Sequence, residues 1–127
     1  PYIDKYELHT LYDTVINSDI RLDVLDKLDN FDVAIAGDIL EHMTKEDAVV
    51  VVQKILSKAT TLIISLPVCY YPQDEYEGNP YEVHIKPNWS HEEVLETWGP
   101  HIKQFHVGSQ DLLGNEPLKI GVYWLTL

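Results

Sequence analysis

The chain has 127 residues, 45% of them hydrophobic and 24% charged, which suits a single domain with one hydrophobic core. Its net charge of −12 disfavours nucleic acid as a partner, because an acidic surface repels phosphate and the nine lysine and arginine residues are scattered. No apolar run reaches the roughly 18 residues that span a bilayer. The single cysteine, Cys69, cannot form an internal disulfide. We therefore expect a cytoplasmic protein with no membrane partner.

Apolar spacing predicts an alternation of helices and strands along the chain. In chain order these are a helix over 2–12, a strand over 15–20, a helix over 21–28, a strand over 31–37, a helix from 44, a strand over 60–67, a helix from 90 to 98, and strands over 101–109 and 118–127. The Thr44/Asp47 and Ser90/Glu93 pairs have the spacing of helix amino-terminal caps.

This order indicates an α/β protein with a mostly parallel sheet that ends in an antiparallel hairpin. The turn-rich stretch 111–117 would connect the two hairpin strands. The connection 68–89 is rich in proline and tyrosine and is longer than an ordinary loop, so we expect a lid or a binding loop there.

Polar residues follow the predicted strands at their carboxyl ends, where open parallel sheets bind ligands. Asp19, the segment GDILEH (37–42) and the chain after Pro67 fall at such ends. The two aspartates, Asp19 and Asp38, could equally be turn residues, and the loop tyrosines could serve packing. Because Glu41 and His42 are neighbours in the sequence, we expect only one of them to face a ligand.

Metal binding and nucleophilic hydrolysis are disfavoured by the sequence. Ser65 lacks a Gly-x-Ser-x-Gly elbow, and Cys69 has no base beside it in sequence. Four histidines lack helical metal-ligand spacing and have no clustered acidic partner in the sequence: His84, His91, His101 and His106. We therefore expect no metal site.

Three stretches carry a family resemblance: NSDI (17–20), FDVAIAGDILEHMTKEDAVVVVQKI (31–55) and TTLIISLPV (60–68). They resemble the second half of a class I S-adenosylmethionine-dependent methyltransferase. The stretch NPYEVHIKPNWSHEEV (79–94) is similar to one that precedes the last helix in small-molecule methyltransferases of this type. The resemblance implies a Rossmann-like sheet, S-adenosylmethionine as the cofactor, and methyl transfer as the reaction.

The resemblance also implies site residues. Asp19 and Ile20 would border the adenine of the cofactor, and Asp38, Ile39 and Leu40 would lie beside its methionine portion. Gly37 is a further expected cofactor-binding residue. The candidate catalytic residue is His42, which would face the cofactor or the substrate. Residues of the long loop would close over the acceptor: Tyr70, Tyr71, Tyr81 and His84. Methyl transfer from a sulfonium requires alignment and at most a base, so no nucleophile is needed.

The family's glycine-rich loop and the acidic residue that ends its second strand have no counterpart here. The resemblance therefore implies one incomplete methyltransferase-like domain over 1–127, missing the first two strands of the sheet. In the family those strands lie between the strands assigned to 15–20 and 31–37. The strand at 15–20 could instead pair directly with the strand at 31–37, or another chain could fill the gap. We expect the chain to be inactive as it stands and to self-associate through an exposed sheet edge.

The expected acceptor is a small molecule or a protein. The alternative hypothesis is a non-catalytic methyltransferase-like domain that binds a protein partner through the tyrosine-rich loop or the exposed edge. A third hypothesis is an α/β hydrolase of unrecognised type.

Overall fold

The computed structural model describes residues 2–110 and 117–127, whose four strands form one sheet. The strands are β1 (Phe31–Gly37), β2 (Ala59–Pro67), β3 (Ile102–Gln110) and β4 (Leu118–Leu125), in the spatial order β1-β2-β4-β3. Strands β1 and β2 run parallel, whereas β4 is antiparallel to both β2 and β3. The predicted turn over 111–117 lies, apart from Pro117, outside the described residues.

The predicted α/β class and the antiparallel pairing of the last two strands are confirmed. Strands β1, β2 and β3 point in the same direction and β4 alone runs opposite, so the expected mostly parallel sheet that ends in an antiparallel hairpin is confirmed for the described strands. Both pairings of β4 are antiparallel because β4 lies between β2 and β3.

Three α-helices are present in the described residues: α1 (Tyr2–Lys5), α2 (Lys45–Leu56) and α3 (His91–Trp98). Both predicted caps form, because the Thr44 hydroxyl accepts from the N–H of Asp47 at 3.2 Å and the Ser90 hydroxyl accepts from the N–H of Glu93 at 3.1 Å. None of these helices has the length and apolar character that crossing a membrane requires. Short 3₁₀ turns occur at Leu8–Thr10, Asp23–Lys27, Leu40–His42, Pro80–Glu82 and Gly99–His101.

The first 30 residues differ most from expectation. The helix predicted over 2–12 ends at Lys5, since Glu7 has a left-handed φ of 50° that no α-helix continues through. The segment predicted as a strand at 15–20 forms none, because no described strand lies beside it to accept its hydrogen bonds. The predicted helix over 21–28 is a 3₁₀ turn over Asp23–Lys27 that buries Leu25 in the core.

Helices α2 and α3 cover one face of the sheet. Every second side chain along the strands points toward these helices and contributes to the core. In β2 the inward side chains are Leu62, Ile64 and Leu66, all fully buried, and they lie beside inward residues of β4. Apolar residues complete the core from the helices and the loops: Leu40, Ala48, Val51, Val52, Ile55, Trp89, Val94 and Trp98. Over β2 and β4 this face of the sheet is therefore closed to solvent, whereas Phe105 of β3, on the same face, is 49% exposed.

The opposite face, here called the open face, is apolar and exposed. Its side chains are Phe31, Val33 and Ile35 of β1 with Val122 and Trp124 of β4. Ile35 is 76% exposed and Trp124 is 43% exposed. Among the described residues no strand pairs with the outer edge of β1. An unpaired edge beside exposed apolar side chains favours association with another chain.

Tyr123 of β4 is held by its neighbours on the covered face. Its ring lies across Gly121, where an added Cβ would fall 2.5 Å from the hydroxyl oxygen, and its hydroxyl is hydrogen-bonded to Nδ1 of His91 at 2.8 Å. Burial, reinforced by the charge of Glu92, raises the pKa of Tyr123 to about 12. The hydroxyl therefore remains protonated at neutral pH.

We expect the 127-residue chain to self-associate through β1 and the Ile35→Lys variant to do so at least tenfold more weakly, because a lysine on an edge strand opposes strand pairing. Sedimentation velocity over a concentration series measures this. Gln53→Lys, on the exposed side of α2, makes the same charge change away from the open face and should leave association unchanged. A wild-type chain that is monomeric at every concentration would contradict the prediction.

Gly121→Ala should lower the free energy of unfolding by about 1–3 kcal/mol, because the buried Tyr123 ring cannot move away from the new methyl group. Urea denaturation followed by circular dichroism measures the loss. The matched control is Gly99→Ala, whose added Cβ has no atom within 4 Å. Equal stability of the two variants would show that the Tyr123 ring is not fixed.

Candidate functional site

A cleft of about 790 Å³ opens where β1 reaches its carboxyl end. Its lining includes Asp38 and Ile39 just after β1, the segment 17–21, and Tyr81 of the long loop. A shallower cleft of about 550 Å³ lies at the opposite end of the sheet and contains Lys58. Because ligands of open α/β sheets bind at the carboxyl ends of the strands, the first cleft is the candidate site.

The chain leaves β1 through a strained turn at Asp38. Asp38 has a left-handed φ of 49°, a conformation that aspartate tolerates better than most residues. Its N–H donates to the carbonyl of Ser65 at 2.9 Å, and the Ser65 hydroxyl reaches its carboxylate at 3.4 Å. The strained backbone is thus fixed against β2, and the Asp38 side chain stands at the cleft.

The 3₁₀ turn Leu40–His42 brings Glu41 and His42 to the same place. Glu41 is only 3% exposed, while His42 is half-buried and lines the cleft. The expectation that only one of these neighbours could face a common point is wrong. Although the two residues are adjacent in the sequence, ligand-capable atoms of their side chains lie within 4.8 Å of each other.

The long loop folds back onto this turn. The N–H of Tyr71 donates to the carbonyl of Pro87 at 2.9 Å, and the N–H of Lys86 donates to the carbonyl of Glu41 at 3.1 Å. His84 is thereby buried, and its ring meets that of His42 edge-on with centroids 4.7 Å apart.

Ion pairs and ring stacking anchor the end of the loop. The ammonium groups of Lys86 and Lys45 lie 3.0 and 3.1 Å from the carboxylate of Glu93 in α3. Burial alone would raise the pKa of Glu93, but the hydrogen bonds from the two lysines outweigh it and lower the pKa. Trp89 stacks on Trp98 with ring centroids 5.3 Å apart. These contacts hold His84 in position.

Glu41, His42 and His84 form a cluster, here called the Glu-His-His cluster, whose ligand-capable atoms all lie within 4.8 Å of one another. The expectation that His84 has no acidic partner is wrong, because a partner 43 residues away in sequence is brought to it by the fold. From the sequence, Glu41 and His42 of the segment GDILEH were expected at a strand end, and His84 was expected in a binding loop. Spacing alone could not show that the loop returns to that strand end.

Burial, with a smaller contribution from the charge of Asp38, raises the pKa of Glu41 to about 7. One carboxylate oxygen of Glu41, Oε2, has no hydrogen-bond partner among the described residues. A buried carboxylate in this state is costly when ionised. Glu41 is therefore a group that gains a proton or a cation readily.

Asp19 and Arg21 form an ion pair at the rim of the cleft. The Arg21 side chain donates to both carboxylate oxygens of Asp19, with a shortest distance of 2.6 Å, and the Arg21 N–H donates as well. These side-chain and backbone hydrogen bonds lower the pKa of Asp19. Arg21 was missed in the sequence, although its position two residues after Asp19 allows such a pair.

Six of the eleven predicted site residues line the cleft: Asp19, Ile20, Asp38, Ile39, His42 and Tyr81. Leu40 lies in the core, His84 lies in the cluster, and Gly37, Tyr70 and Tyr71 lie outside the lining. Lining residues that the sequence did not single out include Tyr2, Ile3, Asn79, Glu82 and Ile85. Tyr2 and Ile3 belong to a segment whose position depends on long-range packing.

Comparison with solved structures identifies the fold. The chain superimposes on the N-terminal domain of EvdMO1 with SAH bound, with a TM-score of 0.63, 10% identity, and coverage of 97% of this chain and 58% of that one. For TehB from Haemophilus influenzae the TM-score is 0.60 at 9% identity, with 98% and 45% coverage. For the methyltransferase domain of bacterial CtHen1-CN it is 0.51 at 19% identity, with 98% and 70% coverage.

The chain thus has the class I methyltransferase fold, and the resemblance stated from the sequence is confirmed at the level of fold. It spans 58% and 45% of the lengths of the first two structures. No protein-family model and no curated protein matches the sequence.

Stability should fall between about pH 4.5 and 7 through Glu41, because the unfolded chain releases this proton at lower pH than the folded chain does. The Glu41 contribution is fully present below pH 4.5 and lost by pH 7, which corresponds to a change of about 3 kcal/mol at most. Glu41→Gln removes the titration, so the stability of wild type relative to this variant should fall over that interval.

Urea denaturation at a series of pH values in the presence of a chelator measures this difference. Glu46→Gln, at an exposed position of α2, is the matched control and should show no such interval. A difference between wild type and Glu41→Gln that is flat with pH would contradict the burial of an ionisable Glu41.

Proposed function

We propose that the chain is the carboxyl-terminal part of an S-adenosylmethionine-dependent methyltransferase. The observation that carries the proposal is the cleft at the end of β1, lined by Asp19, Ile20, Asp38 and Ile39, in a fold shared with structures that hold SAM or SAH. The open edge of β1 and the open face offer surface for the remaining strands and helices of such an enzyme.

The residues of the cleft suit this cofactor. A volume of about 790 Å³ is in the range of small-molecule sites, which run from about 300 to 1,000 Å³. Ile20 and Ile39 provide apolar surface for a purine, and the carboxylate of Asp38 can accept from the ammonium of a methionine moiety. The carboxylate of Asp19 accepts hydrogen bonds from Arg21, so we assign Asp19 a structural role at the rim of the cleft.

S-adenosylmethionine supplies an activated methyl group, and the protein contributes mainly alignment and proton acceptance. Nδ1 of His42 lies 3.2 Å from the carbonyl of Val83, which can only accept, so Nδ1 carries the proton and Nε2 has a free lone pair. His42 can therefore accept a proton from an acceptor bound in the cleft. We propose a small molecule or a protein as acceptor, since the net charge of −12 disfavours nucleic acid.

A second candidate is a non-catalytic domain that binds a protein partner. It is favoured by the open face and by the exposure of Tyr70, which is 72% accessible in the loop. Cofactor binding by a chain extended at its amino end separates the two candidates.

Calorimetric titration with S-adenosylmethionine tests the proposal on the 127-residue chain and on a version extended at its amino end through a glycine-rich loop. We expect binding by the extended protein and little or none by the shorter one, which lacks that loop. No heat and no thermal shift for the extended protein would contradict the enzyme proposal.

Asp38→Asn in the extended protein should weaken cofactor binding by about tenfold or more, because it removes a charged acceptor. Asparagine tolerates the left-handed backbone of Asp38, so the turn is retained. Asp74→Asn, at an exposed loop position outside the cleft, makes the same change and should bind normally. Equal affinities would remove Asp38 from the cofactor site.

A further inference from the structure

The imidazoles of the Glu-His-His cluster are oriented by backbone carbonyls. Nδ1 of His84 lies 2.6 Å from the carbonyl of Tyr71, and Nδ1 of His42 lies 3.2 Å from the carbonyl of Val83. A carbonyl accepts and cannot donate, so each neutral ring carries its proton on Nδ1. In both rings Nε2 is then the nitrogen with a free lone pair. This is the arrangement in which metal-binding histidines are usually held.

Glu41 lies beside these two imidazoles, with ligand-capable atoms of the three side chains within 4.8 Å of one another. Its side chain is almost completely buried, and its Oε2 has no hydrogen-bond partner among the residues described. A buried, unpartnered carboxylate costs free energy unless a proton or a cation satisfies it. The carboxylate of Asp38 also acts electrostatically on Glu41, so the local potential favours a cation.

We propose that Glu41, His42 and His84 bind a divalent first-row transition cation such as Zn²⁺. Two imidazole nitrogens and one carboxylate oxygen form a ligand set that suits these ions, whereas Mg²⁺ and Ca²⁺ prefer oxygen ligands. The site shares His42 with the proposed function, because a cation bound at Nε2 would occupy the lone pair assigned there to proton acceptance, and its test does not require methyl transfer.

The geometry is close to that of a bound cation. Ligand atoms around one such ion lie about 3.3 Å apart when the bonds are about 2.1 Å long. The three groups already lie within 4.8 Å of one another, so the distances between their ligand atoms need to shorten by about 1.5 Å at most on binding. The hydrogen bond from the N–H of Lys86 to the carbonyl of Glu41 joins the loop to the Leu40–His42 turn and keeps the two sides of the cluster beside each other.

A cation has a route to the cluster and free positions once bound. His42 lines the cleft, so the site communicates with solvent through it. Three protein ligands leave at least one coordination position for water or for an oxygen of a molecule in the cleft. The cation would therefore sit between the core of the domain and its binding site.

The test is titration of the metal-free 127-residue chain with Zn²⁺ by calorimetry and with Co²⁺ by visible absorption, after chelator treatment. We expect one ion per chain and Co²⁺ bands typical of mixed nitrogen and oxygen ligands. Glu41→Gln, His42→Gln and His84→Gln should each weaken binding at least tenfold. The control is His106→Gln, which removes an exposed imidazole on β3 and should leave affinity unchanged.

Each outcome decides the proposal. Unchanged affinity in the three cluster variants, or no binding to the wild type, would overturn it, as would a site that takes Mg²⁺ in preference to Zn²⁺. Circular dichroism of the metal-free variants verifies that they fold, and Glu41→Gln should do so because it removes a buried charge. Zn²⁺ binding by the chain together with failure of cofactor binding by the extended protein would retain this site and reject the proposed function.

Discussion

The hydrogen bond from the N–H of Asp38 to the carbonyl of Ser65 fixes the point at which β1 ends, and the site depends on it. It joins the last residue pair of the parallel ladder, Gly37 and Ser65, to a turn with left-handed backbone. From this turn the chain enters the core through Leu40 and then reaches α2 through the Thr44 cap. A different exit from β1 would move every polar side chain of the segment 38–42.

The same short segment is held from its other side by the long loop. The hydrogen bond from Lys86 to the carbonyl of Glu41 joins the loop to the turn, and the stacked Trp89 and Trp98 join it to α3. The segment 38–42 therefore lies between two supports, one from the sheet and one from the loop. Such double support allows strained and buried polar groups to persist in a folded protein.

The sequence was sufficient to predict those elements whose pattern of polar and apolar residues is decisive over a short stretch. Both caps, β1 and β2, and the pairing of β3 with β4 follow from hydroxyl spacing and apolar runs, whose stabilising partners are close or are provided by the same sheet. The segments 2–12 and 15–20 have comparable patterns but bury little of their apolar surface: Leu11 is 70% and Ile16 is 52% exposed, and in 15–20 only Ile20 packs against the core. The position of His84 depends on a loop that returns across the fold, which no periodicity encodes.

The three tryptophans occupy two environments, and this gives the chain separate optical signals. Trp89 and Trp98 are 1% and 4% exposed and stack within the core, whereas Trp124 is 43% exposed on the open face. The stacked pair should dominate near-ultraviolet dichroism, since two coupled indoles in a rigid chiral arrangement exchange excitation. The emission of Trp124 should be red-shifted in water and move to the blue when the open face is covered. Covering of the sheet and anchoring of the loop can thus be followed independently in one unlabelled sample.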